Sequence, residues 1–267
     1  MVSSRIARLS ARSIAGIIFA IAVVVRIAFI YAVIGFHTGE SDVLRLNGDE
    51  RDYLRRAENV MMGHGFTAGG EHDRMWRTPA YPLLLLPITA VGGRELAAIR
   101  FLQALLGSLA CVLLFAVARR VFDPTVAALA ALYFALYPPH AHMAGQILSE
   151  NLLLPVVLLA TLQFLRAAET PTVKQAMLGG MLAGLAALVK PEAGAIAGVM
   201  VAVMWLIAGE RKVLRGAALL LAAALTLAPW LARNYALSGR FVISSVGGEA
   251  FWGGNNEYVL DVPKHRG

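Results

Sequence analysis

IAGIIFAIAVVVRIAFIYAVIGF, residues 14–36, decides how the rest of the chain is read. A membrane span needs about 20 mostly apolar residues, because the hydrocarbon layer is roughly 30 Å thick. A secretory leader has a shorter apolar core, about 7–15 residues, followed by a small-residue cleavage site. This run is 23 residues long and is interrupted by Arg26. It therefore reads as a retained first span. Arg5, Arg8 and Arg12 precede it, as expected of a cytoplasmic flank.

Six more apolar runs follow: 96–118, 125–137, 151–166, 176–189, 193–208 and 213–231. The third and fifth spans are short and need their flanks to complete a crossing. A further run at 82–91, PLLLLPITAV, is too short to span alone and reads as a partly embedded piece. The chain is 58% hydrophobic and its mean hydropathy is +0.65. Soluble domains are less apolar. The expected fold class is an all-α integral membrane protein of about seven transmembrane helices, with an external first loop carrying interfacial amphipathic helices. Residues 1–256 form the membrane module and 257–267 a short tail.

The net charge of +7 follows the same plan. Arg119 and Arg120, Arg166 and Lys174, and Arg211, Lys212 and Arg215 all fall on the side of the N-terminus if the chain crosses seven times. The segment 138–149 has no Lys or Arg. That asymmetry puts the N-terminus in the cytoplasm and the 37–95 loop outside. The expected location is multi-pass in a bacterial inner membrane. No basic stretch alternates with aromatics, so nucleic acid is not an expected partner. Cys111 is the only cysteine, which excludes an intrachain disulfide and a cysteine-rich zinc site.

The external loop holds the densest charge. Asn47 is a good helix cap, with Glu50 three residues on in the capping-box position. Leu54, Ala57 and Met61, widened by Tyr53 and Val60, then form an apolar stripe, while Arg51, Arg55 and Glu58 lie off it. This reads as an amphipathic interfacial helix. Capping accounts for Glu50 but accounts for Asp49 only as a general preference for acids at a helix start. Arg26 sits mid-span, where an unpaired charge costs about 2.5–3.5 kcal/mol on insertion scales, so it calls for an internal partner.

Further along come Arg77-Thr78-Pro79-Ala80-Tyr81-Pro82, Ser149-Glu150-Asn151, Lys190-Pro191, Pro229-Trp230-Leu231-Ala232-Arg233-Asn234 and Gly253-Gly254-Asn255-Asn256. In this order, and with Asp49-Glu50, they resemble the C-type integral-membrane glycosyltransferases, in the group of protein O-mannosyltransferases and aminoarabinose transferases. The resemblance covers roughly residues 23–256. It implies transfer of a sugar from a polyprenyl-phosphate carrier to the hydroxyl of a lipid, glycan or protein acceptor, with inversion. It implies Asp49 as the catalytic base, with Glu50 as its companion. Lys190, Arg233 and Arg77 are the candidates for the donor phosphate. Glu150, Tyr81 and Asn255 are candidates for acceptor or ion contact. No cofactor is certain; a divalent metal is possible, with His140, His142 and Glu150 as weak ligand candidates. Relatives usually extend beyond the point corresponding to Gly267, so a second chain supplying the remainder is a possible partner, alongside membrane lipids.

Two other readings compete. A transporter or lipid flippase would carry inverted repeats and broken helices near mid-membrane. A non-catalytic scaffold would keep the spans without needing Asp49.

Overall fold

The structure, a computed structural model, describes residues 10–34, 46, 48–70, 73–92, 96–170, 172–207 and 212–255. The Asn47 cap and Asn256, with Arg5, Arg8 and Arg211, lie outside the described residues. Within them every regular element is helical.

Helix α1 (Ala11–Phe29) starts at Ser10, whose hydroxyl accepts the Ser13 amide, and runs on into a π-helical turn over Ile30–Ile34. The amphipathic α2 is Gly48–Met61 and α3 is Ala80–Gly92. The bundle continues with α4 (Leu96–Ala118), α5 (Pro124–Leu136), the short α6 (Pro138–Met143), α7 (Glu150–Glu169) and α8 (Val173–Val189). After a single 3-10 turn at Pro191–Gly194 come α9 (Ala195–Ile207), α10 (Lys212–Ser238) and α11 (Val246–Gly254).

Each of the seven expected spans has a helix, but their lengths differ. Four stretches among the described residues are long and apolar enough to cross a membrane: Ala11–Val33, Leu96–Ala118, Glu150–Glu169 and Lys212–Ser238. Helices α5 and α8 have 13 and 17 residues, and α9 has 13 up to Ile207, where the described residues pause. At 1.5 Å per residue, the 13 residues of α5 reach only about 20 Å, short of a full crossing. The ends are set by strong local signals. Asp123 caps α5 by accepting from the Thr125 and Val126 amides, with Pro124 at the first position. Pro191 bars Lys190 from the helical region, so α8 stops at Val189 and Lys190 is extended (φ −145°, ψ 128°).

Packing runs through the bundle as a chain of neighbours. Helices α1 and α5 flank α4, α4 packs on α7, α7 on α8 and α8 on α10, with α9 also against α10. Pair α8–α10 is the most intimate, and small residues make it so. A Cβ added to Gly180 would lie 2.1 Å from the Leu219 carbonyl oxygen, and one on Gly184 would lie 2.9 Å from that of Ala223. This Gly180-x-x-x-Gly184 spacing lets two backbones meet where the lipid offers no hydrophobic drive to bring them together. Arg26 is buried in the α1–α4–α5 layer, with no acidic partner among the described residues. Its guanidinium donates to the carbonyls of Ala22 (3.2 Å) and Ala135 (3.4 Å) and to Cys111 Sγ (3.4 Å). Gly107 makes room for it: a Cβ there would lie 2.6 Å from Arg26 Nε.

At one end of the bundle α2 and α3 lie together. Tyr53, Leu54 and Ala57 of α2 bury against Tyr81 and Leu85 of α3, Leu96 and Ile99 of α4, and Ile147. Met61, expected on the same stripe, is exposed, because the helix ends there and its apolar face no longer has a partner.

The close α8–α10 approach gives the first prediction. Gly180→Ala must displace a backbone carbonyl and costs about 1–3 kcal/mol. Gly179→Ala meets only the Leu219 methyl at 4.0 Å and is tolerated. Thermal unfolding in detergent separates the two; equal midpoints would contradict the packing described.

Candidate active site

The site grows from a line of alternating charge along α2. Asp49, Asp52 and Arg56 succeed one another at helical spacing, so all three face the 73–78 segment. Arg56 is fully buried. Its guanidinium pairs with Asp52 (Nε to Oδ2, 3.0 Å) and with Asp73, and donates to the Asp73 carbonyl at 2.9 Å. The other Asp73 oxygen accepts the Ala68 amide at 2.6 Å. One buried cation thereby ties Ala68 and Asp73 to α2. Asp52 is shared: its Oδ2 also receives Arg77 Nε at 3.1 Å, while Arg77 Nη2 pairs with Asp49. Arg77 also lies over the Tyr53 ring at 5.0 Å, a cation–π contact.

The next residue joins this segment to α8. Thr78 Oγ1 donates to the Val189 carbonyl at 2.6 Å. That carbonyl belongs to the last turn of a helix, where no amide follows to receive it. Because Pro191 stops α8 there, Lys190 emerges beside Arg77. Its ammonium meets Glu150 Oε1 at 2.6 Å, with Glu192 at 4.0 Å. Glu150 Oε2 lies 3.3 Å from Ser149 Oγ, which accepts the Tyr53 hydroxyl at 3.0 Å. A polar chain thus runs from Tyr53 through Ser149 and Glu150 to Lys190.

These groups border a cleft of about 100 Å³. Tyr53, Trp76, Arg77, Thr78, Lys190 and Glu192 line it, closed on one side by Ser244 and Val246. The last two are held in place by α10. Trp230 Nε1 donates to the Ile243 carbonyl (2.8 Å) and the Asn234 amide to that of Val242 (2.8 Å). Ser244 Oγ then donates to the Trp76 carbonyl at 2.5 Å, and the Ser245 amide to that of Met75 at 2.9 Å.

Burial would lower the pKa of Lys190, but the hydrogen bond and charge of Glu150 outweigh it and hold the ammonium above its ordinary value. Arg77 is likewise raised: burial opposes its charge, but Tyr53, Asp49 and Asp52 prevail. Burial pushes the Tyr53 hydroxyl up against the pull of Ser149, Arg77 and Lys190. At neutral pH the cleft therefore presents two cations and a protonated phenol.

The expected residues fall into three groups. Asp49, Arg77, Glu150 and Lys190 are drawn together at or beside the cleft. Glu50 instead turns inward, nearly buried, and its Oε1 accepts the Ile147 amide at 2.9 Å. Tyr81 is also buried, its hydroxyl donating to Gln103 Oε1 at 2.6 Å; these two position neighbouring segments. Arg233 lines a different pocket, with its guanidinium 4.4 Å from the Trp230 ring. Asn255 caps its own helix end, donating to the Phe251 carbonyl.

His140 packs on the rings of Phe134 and Tyr137, and His142 meets Phe29 edge-on. Among the described residues no group of three or more His, Cys, Asp or Glu could hold a metal ion. The metal expectation thus finds no ligand cluster, because the histidines are engaged by aromatic rings.

Sequence reasoning missed Asp52, Arg56, Asp73, Thr78 and Ser244. The Asp52–Arg56 spacing of four residues on one helix was a legible ion-pair signal. The long-range partners carried none.

Removing the buried cation should be costly. Arg56→Met leaves Asp52 and Asp73 without it and should destabilise the protein by about 3–5 kcal/mol, seen as a lowered unfolding midpoint. An unchanged midpoint would mean that Arg56 does not organise the 67–78 segment.

Comparison with known proteins bears on the same region. The family model described as dolichyl-phosphate-mannose-protein mannosyltransferase matches residues 77–232, from Arg77 of the cleft to the last turns of α10. No curated protein matches the chain.

Proposed function

The chain belongs to the dolichyl-phosphate-mannose-protein mannosyltransferase family, a family of membrane glycosyltransferases, and from that premise we propose that it moves a sugar from a polyprenyl-phosphate carrier to an acceptor hydroxyl at the cleft between Arg77 and Lys190. The observation that carries this reading is the convergence of those two cations beside Asp49, at the end of an apolar bundle.

In the proposed reaction, the donor phosphate lies against Lys190 and Arg77, with its polyprenyl tail in the bilayer. Asp49 accepts the proton of the acceptor hydroxyl as that oxygen attacks the anomeric carbon. The bond from the anomeric carbon to the phosphate oxygen breaks, and its electrons leave with the lipid phosphate. Cations already in place stabilise that developing charge without rearranging at the moment of reaction. A single displacement inverts the anomeric centre.

Arg77 is paired with Asp49, and Lys190 with Glu150. A phosphate that takes over the cations loosens the hold on both carboxylates. Binding the donor would thereby free Asp49 to act as a base, which couples its readiness to occupancy. Glu150, linked to Ser149 and Tyr53, orients Lys190 in this reading. The site would face outward, with the N-terminus in the cytoplasm, so that acceptors meet the carrier at the outer surface.

Purified protein given radiolabelled polyprenyl-phosphate sugars tests this. Asp49→Asn should lower transfer at least 100-fold, with an unchanged unfolding midpoint. Arg51→Ala should stay near wild type. Lys190→Gln should raise the donor KM about tenfold and also lower kcat, since the cation is engaged both before and during departure. Equal activity in the Asp49 and Arg51 variants would remove Asp49 from the mechanism.

A further inference from the structure

A second pocket, of about 350 Å³, opens where residues 63–66 and Arg74 meet the end of α10. Arg74, Arg233, His64, Phe66, Ala236 and Leu237 line it. It lies close to the cleft: Arg74 is three residues from Arg77, so their backbones are at most about 11 Å apart.

Its chemistry differs from that of the cleft. Arg77 and Lys190 are each paired with carboxylates. Arg233 is not paired with any carboxylate among the described residues. It donates to the Arg74 carbonyl (3.0 Å) and to Asn234 Oδ1 (2.7 Å), and its plane is held by Trp230 at 4.4 Å and Phe66 at 5.5 Å. The side-chain charges acting on it, from Arg74 and Arg56, have its own sign, and Arg56 is already engaged by Asp52 and Asp73. A half-buried guanidinium, fixed in orientation and with no carboxylate partner among the described residues, suits an anion. The flat fork of its donors suits two phosphate oxygens.

The walls indicate where that phosphate comes from. Ala236 and Leu237 are exposed on α10, a 27-residue helix long and apolar enough to span. Beside them Tyr235 stacks on Phe241 with rings 4.4 Å apart, and both are exposed, 48% and 72%. Exposed aromatics at the end of a spanning helix mark headgroup depth. Gly63 and Gly65, with φ of 76° and 84°, carry the backbone round the rim, and a Cβ on either would meet open space. A guanidinium at headgroup depth beside a spanning helix is placed to meet a lipid phosphate.

We propose that this pocket binds the phosphate of an anionic membrane phospholipid, its acyl chains lying along α10. The site is distinct from the cleft, and occupancy anchors α10 and the 242–245 return that borders the cleft. The inference goes beyond the sugar-transfer reading and does not depend on it, because lipid retention is read without turnover.

The test uses the full chain in detergent, with bound lipid counted by native mass spectrometry. Phosphatidylglycerol, phosphatidylcholine and inorganic phosphate are the probes. Wild-type protein should retain one phosphatidylglycerol at least tenfold more tightly than phosphatidylcholine, and millimolar inorganic phosphate should not displace it. Arg233→Gln should abolish the preference, whereas Arg240→Gln, at an exposed position outside the pocket, should keep it. Ala236→Asp places a carboxylate on an exposed pocket wall without disturbing the core, and should abolish it as well. An undiminished preference in Ala236→Asp or in folded Arg233→Gln overturns the proposal. Displacement by inorganic phosphate also overturns it, by making this a site for free anions.

Discussion

A single buried guanidinium organises the end of the molecule that carries the cleft. Arg56 has no solvent around it, and a charge so placed is tolerable only when fully paired. Asp52 and Asp73 supply that pairing from two separate segments. The consequence is geometric. Once Asp73 is fixed, the chain from Arg74 to Thr78 must run along α2, which brings Arg77 onto Asp52 and Asp49 and Thr78 onto the end of α8. Lys190 then arrives beside Arg77 because Pro191 has stopped its helix. Two cations that would repel each other in isolation are held at one cleft by the acids assigned to each.

The bundle beneath serves this end. Its helices approach closely through Gly180 and Gly184, so α8 and α10 behave as one rigid support. Helix α8 delivers Lys190. Helix α10, through Trp230 and Asn234, holds the 242–245 return that borders the cleft. The Pro-Trp-x-x-Arg-Asn stretch thus divides its work: Trp230 and Asn234 build a wall, and Arg233 turns to another pocket. The backbone of residues 144–147 is braced in the same manner, by Arg100, Gln103, Asn151 and Glu50.

Much of this was legible in the sequence, and the parts that were not share a physical cause. Hydropathy located the helices, because lipid-exposed and buried positions alike must be apolar. It could not measure the crossing: α5 and α8 are apolar along their lengths, yet proline punctuation at their ends keeps them short. The ordered motifs drew attention to Asp49, Arg77, Glu150 and Lys190, which the fold brings together. Glu50, Tyr81 and Arg233 stood equally close to those motifs in sequence. Their side chains point elsewhere, and direction is set by tertiary neighbours: Ile147 for Glu50, Gln103 for Tyr81, and Arg74 with Phe66 for Arg233. Arg26 called for a partner, but the partners were carbonyls and a sulfur, which no sequence pattern announces.

The most direct measurement is a structure of the protein with a polyprenyl phosphate bound. The account predicts the phosphate within hydrogen-bonding distance of both Lys190 Nζ and the Arg77 guanidinium, with Asp49 released from Arg77. A phosphate lodged away from these two side chains, with the Asp49–Arg77 and Glu150–Lys190 pairs intact, would contradict it.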